Sequence, residues 1–303
     1  MPLLEPGMRY VDVNFQNVPS VIATAVLEGP DGVALIDPGP TSSLGTLRAH
    51  LAEAGIGLKD VTTLLLTHIH LDHAGASGTI VAEQPGVTVH VHERGAPHMI
   101  SPTKLLDSAT RLYGDQMDRL WGAFLPVPAD NVRVLRGGER MDAGGRSLEV
   151  AYTPGHASHH VSYLDAASGI AFVGDTAGVR IGASQALVAP TPPPDIDLDT
   201  WKASTERILE WRPSRLFLTH FGPSAEPAAH LAELLERLHR SAGLARAALN
   251  AGGSDADQAA RFQRDMREEL RRHMSEAELT SYELAVPLDH CFLGLARYWR
   301  KRT

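Results

Sequence analysis

The sequence contains a single cysteine, Cys291, among its 303 residues. A disulfide bond within the chain is therefore impossible, and a metal site built from several thiolates is excluded as well. This absence fits a reducing compartment. Any metal site must instead use histidine and carboxylate ligands.

Long hydrophobic runs and an excess of basic residues are also missing. No stretch approaches the roughly 18 apolar residues of a membrane-spanning helix, and residues 1–10 lack the basic start and apolar run of a secretory signal. Lys and Arg total 28 against 36 Asp and Glu, a net charge of -8, whereas nucleic-acid binders usually carry a basic stripe. We predict a cytoplasmic protein with no nucleic-acid or membrane partner.

Short apolar runs of strand length, separated by turn signals, fill most of the first 220 residues. Strands are predicted at residues 21–27, 33–36, 61–66, 87–91, 148–152, 161–164, 170–173 and 216–218. Helical spacing of apolar residues predicts helices at 41–54 and 74–82. This alternation is typical of an α/β protein.

Two regions depart from this alternation. Residues 93–131 carry leucines and aromatics at helical spacing and are interpreted as a helical insertion; from residue 226 onward only helical patterns remain. We predict a catalytic domain at 1–225 and a helical region at 226–303. The proline-rich stretch 189–199 is expected to be an extended connector, either bordering the active site or crossing the surface.

Histidine is the residue whose distribution is unusual. Of 15 histidines, three lie within residues 67–73 and three within 155–160. His68, His70, Asp72 and His73 follow a predicted strand, and a loop can aim side chains at this spacing toward one point. Imidazole and carboxylate ligands suit zinc, and also iron or manganese. The alternative is a chance grouping in which Asp72 caps a helix.

Three more polar residues follow predicted strands directly. His156 comes after a Pro-Gly turn, Asp175 follows a glycine, and His220 follows a threonine. The two oxygens of a carboxylate can bind different ions, so Asp175 is a candidate bridge. Shared placement at the carboxyl ends of strands predicts one metal site formed with the first histidine motif.

The motif Thr67-His68-Ile69-His70-Leu71-Asp72-His73, with its three downstream partners, resembles the metallo-β-lactamase superfamily. The resemblance covers about residues 21–222 and implies a four-layer αβ/βα sandwich with metal ions at one edge. It implies a first metal bound by His68, His70 and His156, a second bound by Asp72, His73 and His220, and Asp175 as the bridge. Asp37 matches the family's aspartate that orients the ligand loop, although a simple turn residue is the alternative.

Other histidines are placed by the same resemblance. His160 matches a histidine of glyoxalase II-like members that supports a metal ligand, whereas His159 stands where those relatives usually have glycine. The resemblance is to the glyoxalase II-like and lactonase-like branch of the superfamily, and His159 is its departure from the pattern of close glyoxalase II relatives. His90, His92 and His98 lack ligand spacing and are expected to be structural or exposed.

Two divalent ions, with zinc first among the candidates, would acidify a bridging water, and the hydroxide would cleave a thioester, ester or lactone. Asp72 is the predicted catalytic residue, passing a proton to the leaving group. Cys291 is expected to lie too far along the helical tail to act as a nucleophile. The expected partner is a small-molecule substrate, and a homodimer is left open.

Three alternatives remain at this stage. A mononuclear iron persulfide dioxygenase of the same fold would use His68, His156 and Asp175 alone. A phosphodiester hydrolase would use the same pair of ions. A non-catalytic binding module is disfavoured because all the predicted ligands are intact.

Overall fold

The computed structural model describes residues 1–182 and 186–302. Its first sheet contains seven strands in chain order, antiparallel from β1 to β4 and parallel from β4 to β7. The strands are β1 (Leu3–Glu5), β2 (Met8–Asp12), β3 (Ala23–Gly29), β4 (Gly32–Ile36), β5 (Val61–Leu65), β6 (Thr88–His92) and β7 (Val132–Leu135).

The second sheet contains six strands in the order β13-β12-β11-β10-β9-β8. They are β8 (Arg140–Ala143), β9 (Arg146–Tyr152), β10 (Val161–Asp165), β11 (Ile170–Phe172), β12 (Arg215–Leu218) and β13 (Gly222–Ser224). All neighbouring pairs are antiparallel except β11 and β12, which are parallel.

The two sheets pack against each other through a hydrophobic cluster. Ala25 and Leu27 of β3 share this cluster with Tyr163 of β10, Phe172 of β11 and Phe217 of β12. Ala25 and Leu27 alternate with residues that face the other side, as side chains do along a strand. The opposite faces of both sheets belong to a second, larger cluster that includes the helices.

Eleven α-helices are present in the described residues. They are α1 (Leu44–Glu53), α2 (Leu71–Ala74), α3 (Ser77–Glu83), α4 (Ala96–Ile100), α5 (Thr103–Tyr113), α6 (Met117–Trp121), α7 (Leu198–Glu210), α8 (Pro227–Asn250), α9 (Asp255–Leu270), α10 (Glu276–Ala285) and α11 (Leu288–Arg300). None of the described helices is long and apolar enough to cross a membrane. The α/β sandwich with C-terminal helices confirms the predicted fold class.

Several details differ from the sequence prediction. The predicted helix 74–82 is two helices, and the first begins at Leu71 because the His70 carbonyl accepts from the backbone N–H groups of His73 and Ala74. Strands β1, β2, β7, β8 and β13 were not predicted, since they are short and lack a continuous apolar run. The domain boundary at residue 225 stays a prediction, and Thr303 lies outside the described residues.

Candidate metal centre

The seven predicted ligands lie together at one edge of the sandwich, in four segments. These segments follow β5, β9, β11 and β12, so each begins at the carboxyl end of a strand, and the first includes α2 with Asp72 and His73. Their side-chain nitrogen and oxygen atoms form three groups of three, within each of which every atom lies within 4.8 Å of the others. The group of His68, His73 and Asp175 links a first group (His68, His70, His156) to a second (Asp72, His73, His220). The structure therefore brings together every residue predicted for the site.

The first group contains three imidazole nitrogens. His70 Nδ1 lies 2.9 Å from His68 Nε2 and 3.0 Å from His156 Nε2. His68 and His156 are buried, and His70 is partly buried beside the cavity described below. The three lone pairs can converge on one ion.

The second group contains one carboxylate oxygen and two nitrogens. Asp72 Oδ2 lies 3.2 Å from His220 Nε2 and 3.7 Å from His73 Nε2. Side-chain exposure is 18% for Asp72 but only 0% for His73 and 1% for His220. Asp72 is thus the member of this group that solvent and substrate can reach.

Asp175 lies between the two groups with one oxygen toward each. Its Oδ2 is 3.4 Å from His156 Nε2, and its Oδ1 is 3.2 Å from His73 Nε2 and 3.6 Å from His220 Nε2. A carboxylate in this position can contact an ion in either group or one ion in each.

Four of the histidines are oriented by hydrogen bonds that they donate from Nδ1, the ring nitrogen that faces away from the centre. Each donates from Nδ1 to a fixed oxygen, so that Nε2 faces the centre. Hydrogen bonds of this kind behind the ligands are typical of metal sites. The acceptors are Thr67 Oγ1 for His68 (3.1 Å), Asp37 Oδ2 for His73 (2.7 Å), Pro190 O for His156 (2.9 Å) and Val21 O for His220 (2.7 Å).

Three buried atoms of the centre, His73 Nε2, His220 Nε2 and Asp175 Oδ1, make no hydrogen bond of good geometry among the described residues, although Asp175 Oδ1 lies 3.2 Å and 3.6 Å from the two nitrogens. Buried polar atoms without partners are costly and rare. Their mutual approach around a common point is the arrangement that a cation would satisfy. The donor set, rich in imidazole with carboxylate oxygens, fits divalent zinc, iron or manganese.

Asp37 is both a turn residue and the support of this centre. It follows β4 with a φ of 51° and is fully buried. Its Oδ1 accepts from the Thr67 backbone N–H, and its Oδ2 accepts from Thr67 Oγ1, Thr219 Oγ1 and His73 Nδ1, all at 2.7–2.8 Å. The aspartate thereby links the loops after β4, β5 and β12, which confirms the predicted orienting role.

Electrostatics differ between the two groups. Burial, which disfavours a charged imidazole, lowers the pKa of His68 and of His156. Burial and the neighbouring His156 lower the pKa of His70 to about 3. At neutral pH these three rings are uncharged and ready to bind a metal.

In the second group, burial also lowers the pKa of His73, but the facing carboxylates, Asp175 first, raise it more, to well above its usual value. The pKa of His220 is raised in the same way, since Asp175 and Asp72 outweigh burial. For Asp72, burial raises the pKa, yet His73 and His220 bring it down to about 2. Without metal, the second group therefore holds protons.

We expect metal affinity to depend on pH differently at the two groups. A metal entering the second group must displace protons, so its affinity should rise at least about tenfold between pH 6 and pH 8, whereas affinity for the first group should change little. Zinc titration of the metal-free protein at both pH values, with an indicator dye, measures this. Equal pH dependence of both binding steps would contradict it.

Gly155 shapes the turn that presents His156. Its φ is +134°, and a Cβ at this position would lie 2.3 Å from the Trp201 Cα. The Pro154-Gly155 turn therefore packs directly on α7, where only glycine fits.

Gly155→Ala is expected to destabilise the fold by about 3 kcal/mol and to weaken the first metal site, because overpacking displaces the loop. Thermal unfolding and zinc affinity measure the two effects. Gly138→Ala is the matched control, since Gly138 also has a positive φ, +95°, but no atom within 4 Å of its added Cβ. Equal losses in both variants would show that backbone strain alone is responsible.

A cavity of about 350 Å³ opens over the two groups. One wall is α5 from the predicted insertion, a second is the proline segment 190–195, and a third is the junction of α10 and α11. The proline-rich connector thus borders the site, and its Pro190 carbonyl also orients His156.

Cys291 corrects one sequence expectation. It was expected to be remote from the site, but α11 folds back so that Cys291 lines the cavity. Burial raises the pKa of its thiol to about 11, so it remains protonated at neutral pH. His290 also lines the cavity and donates from Nε2 to the Leu112 carbonyl, 3.3 Å away, which ties α11 to α5. Neither contact follows from local sequence patterns.

Of the other histidines discussed above, some contact the predicted ligands and some line the cavity. His160 stacks on His68 with ring centroids 5.1 Å apart, and its Nδ1 lies 3.0 Å from Thr153 Oγ1. His159 lies 5.6 Å from the His70 ring and lines the cavity. His98, expected to be structural or exposed, also lines the cavity. His92 stacks on Tyr152, 4.4 Å away.

The chain is similar in sequence and in structure to known proteins. The sequence model of the metallo-beta-lactamase superfamily matches residues 18–220. The chain therefore belongs to the metallo-β-lactamase superfamily, whose members are mostly metal-dependent hydrolases, and it carries a His/Asp cluster suited to metal binding.

Individual relatives cover different shares of the chain. The metallo-beta-lactamase fold-containing protein ST1585 of Sulfurisphaera tokodaii is 28% identical over 219 residues, which is 71% of this chain and 78% of that protein. The metallo-beta-lactamase family protein TTHA1429 of Thermus thermophilus superposes with a TM-score of 0.72 at 24% identity, covering 99% of this chain and 95% of the other. Hydroxyacylglutathione hydrolase of Hahella chejuensis is 33% identical over 144 residues, covering 47% of this chain and 41% of that enzyme.

Proposed function

We propose that the protein is a dinuclear metal-dependent hydrolase of a carboxylic thioester, ester or lactone. The observation that carries the proposal is the position of Asp175, whose two oxygens face two separate groups of ligand atoms. A mononuclear centre has no use for the second group, in which the buried Nε2 atoms of His73 and His220 face carboxylate oxygens at 3.2 Å without a hydrogen bond of good geometry.

In this proposal His68, His70 and His156 hold one divalent ion and Asp72, His73 and His220 hold the other, with Asp175 shared. Two such ions supply acidified water as nucleophile and polarise the carbonyl oxygen under attack. The protein residues fix the ligand geometry through Asp37 and keep the site dry on its buried side.

Asp72 is proposed to carry the proton transfer to the leaving group. It is the ligand of the second group with the largest side-chain exposure, and it lines the cavity. An Asp72 oxygen that does not bind the ion would accept a proton from the attacking water and return it to the leaving group.

The substrate class rests on two supports. The partial likeness to hydroxyacylglutathione hydrolase favours a thioester. The cavity walls include apolar residues of α5 and the proline segment, which suit an acyl chain or similar small molecule better than a nucleic-acid backbone. A small molecule is therefore the proposed partner. We also propose two zinc ions as the cofactors and the cytoplasm as the location.

A substrate panel tests the proposal. The zinc-loaded protein and an anaerobically iron-loaded sample are each given a thioester, an ester, a lactone, a phosphodiester and glutathione persulfide. We expect the zinc form to cleave at least one carboxylic substrate without consuming oxygen, and chelator treatment to abolish this. Oxygen consumption with persulfide by a form carrying one iron, cleavage of the phosphodiester alone, or no turnover at all would contradict it.

A further inference from the structure

The wall that α5 contributes to the cavity has two chemically different rows. One row is apolar and consists of Leu105, Ala109 and Leu112, spaced i, i+4 and i+7. The other row is polar, consists of Lys104, Ser108 and Arg111, and has the same spacing. This spacing places each row along one side of the helix.

The two rows differ in depth. Ala109 is buried and its two leucine neighbours are partly buried, whereas Lys104 and Arg111 are exposed. The apolar row therefore lies deeper, and the basic row lies along the rim. With a rise of 1.5 Å per residue, the two basic Cα positions are about 10 Å apart along the helix.

The cations at this rim have no acidic partner within the described residues. No carboxylate lies within 4 Å of the side-chain nitrogens of Lys104 or Arg111, or of Arg94, which lines the same cavity and lies over the Tyr152 ring at 5.9 Å. Elsewhere most arginines are paired; Arg302, for example, contacts Asp197 and Asp199. Three unpaired cations facing one cavity stand out in a chain of net charge -8.

The carboxylates of the cavity lie elsewhere. Asp72 and Asp175 belong to the metal centre, and Asp195 accepts a hydrogen bond from Ser158 Oγ. From its floor to its rim, the cavity therefore presents first the metal centre, then the apolar row of α5, and then the positively charged side chains of the rim. An elongated ligand with an apolar segment and an anionic end matches this sequence of surfaces.

We propose that the substrate is an ester or thioester whose tail ends in an anionic group, a carboxylate or a phosphate, held by Arg94, Lys104 and Arg111. This inference rests on the proposed hydrolase function for the reacting carbonyl, which lies at the metal centre. The apolar segment of the substrate contacts the leucine row of α5. The basic rim then selects anionic substrates from neutral ones.

Binding of unreactive amphipathic probes tests this without any turnover. Octyl phosphate, octanoate and octanol are titrated calorimetrically into the zinc-loaded wild type and the Lys104→Gln/Arg111→Gln double variant. We expect the wild type to bind at least one of the two anions more tightly than octanol. The double variant should bind that anion about tenfold more weakly and octanol equally well. The tighter anion identifies carboxylate or phosphate as the preferred group.

Lys59→Gln provides the matched control, because Lys59 is an exposed cation outside the cavity. The wild type should lose affinity for the anion as ionic strength rises, and the double variant should lose less. If the wild type binds octanol as tightly as both anions, or the double variant behaves like Lys59→Gln, the inference is wrong.

Kinetics separate this inference from the hydrolase proposal. For a cleaved ester with an anionic tail, the double variant should raise KM and leave kcat unchanged, and a neutral-tailed ester should show neither change. If no ester is cleaved while the anions still bind selectively, the hydrolase proposal fails and the anionic subsite stands. An equal change in KM for both esters would overturn the subsite.

Discussion

Asp175→Asn is expected to reduce kcat/KM of the zinc-loaded protein about 10³-fold or more and to lower bound zinc from two ions per chain to one. The amide keeps the shape of the carboxylate but has only one oxygen, and its charge is lost. It therefore cannot contact both ligand groups as Oδ1 and Oδ2 do. Loss of one ion of a pair removes much of the activation of water and carbonyl.

The matched control is Asp142→Asn, an exposed aspartate on β8 outside the site. It should retain two zinc ions and full activity. Metal content by elemental analysis and steady-state rates on the best substrate measure both variants. An Asp175→Asn protein that keeps two tightly bound ions, or that loses less than tenfold in rate, would show that this carboxylate does not connect the two groups.

Asp37→Asn is expected to weaken zinc binding at the second group 10–100-fold and to lower the free energy of unfolding by about 2–3 kcal/mol. Asp37 Oδ2 accepts from Thr67, Thr219 and His73. If the amide nitrogen of asparagine takes the position of Oδ2, the donors Thr67 Oγ1, Thr219 Oγ1 and His73 Nδ1 lose their acceptor. If the amide oxygen takes that position, the amide nitrogen faces the Thr67 backbone N–H, which then loses its acceptor. Asparagine tolerates the positive φ of this position, so the effect isolates the charge from backbone strain.

Asp31→Asn, in the exposed turn between β3 and β4, is the control and should change neither quantity. Chemical denaturation of the metal-free proteins measures stability, and zinc titration measures the two binding steps. The first step should be less affected, because the first group is linked to Asp37 only through Thr67 Oγ1 and His68, whereas His73 of the second group bonds Asp37 directly. Equal weakening of both steps would contradict the assignment of Asp37 to the second group through His73.

The ligand residues were predictable because their signal is local. Each follows a short apolar strand, and the carboxyl ends of neighbouring strands meet at one edge, so a sequence pattern is enough to group them. His68 and His73 are only five residues apart, while His156 and His220 required the strand assignments to be placed. The support by Asp37 followed from the family resemblance rather than from spacing.

The proline-rich wall of the cavity was one of two placements expected for that stretch, but the assembly of all three walls could not be predicted, because they come from distant parts of the chain. Cys291 and His290 reach it only because α11 packs back against α5, a contact across 178 residues between His290 and Leu112. The edge strands β1, β8 and β13 were also missed. Such strands are short, and pairing with a neighbour rather than their own composition defines them.

Two ions that share Asp175 are the central feature of the proposed hydrolase. Cobalt(II) titration of the metal-free protein, followed by electron paramagnetic resonance, tests this. We predict that two equivalents bind and that the signal per cobalt falls as the second equivalent enters, because ions about 3.5–4 Å apart couple through a shared carboxylate. Saturation at one equivalent, or two signals that simply add, would contradict the dinuclear centre.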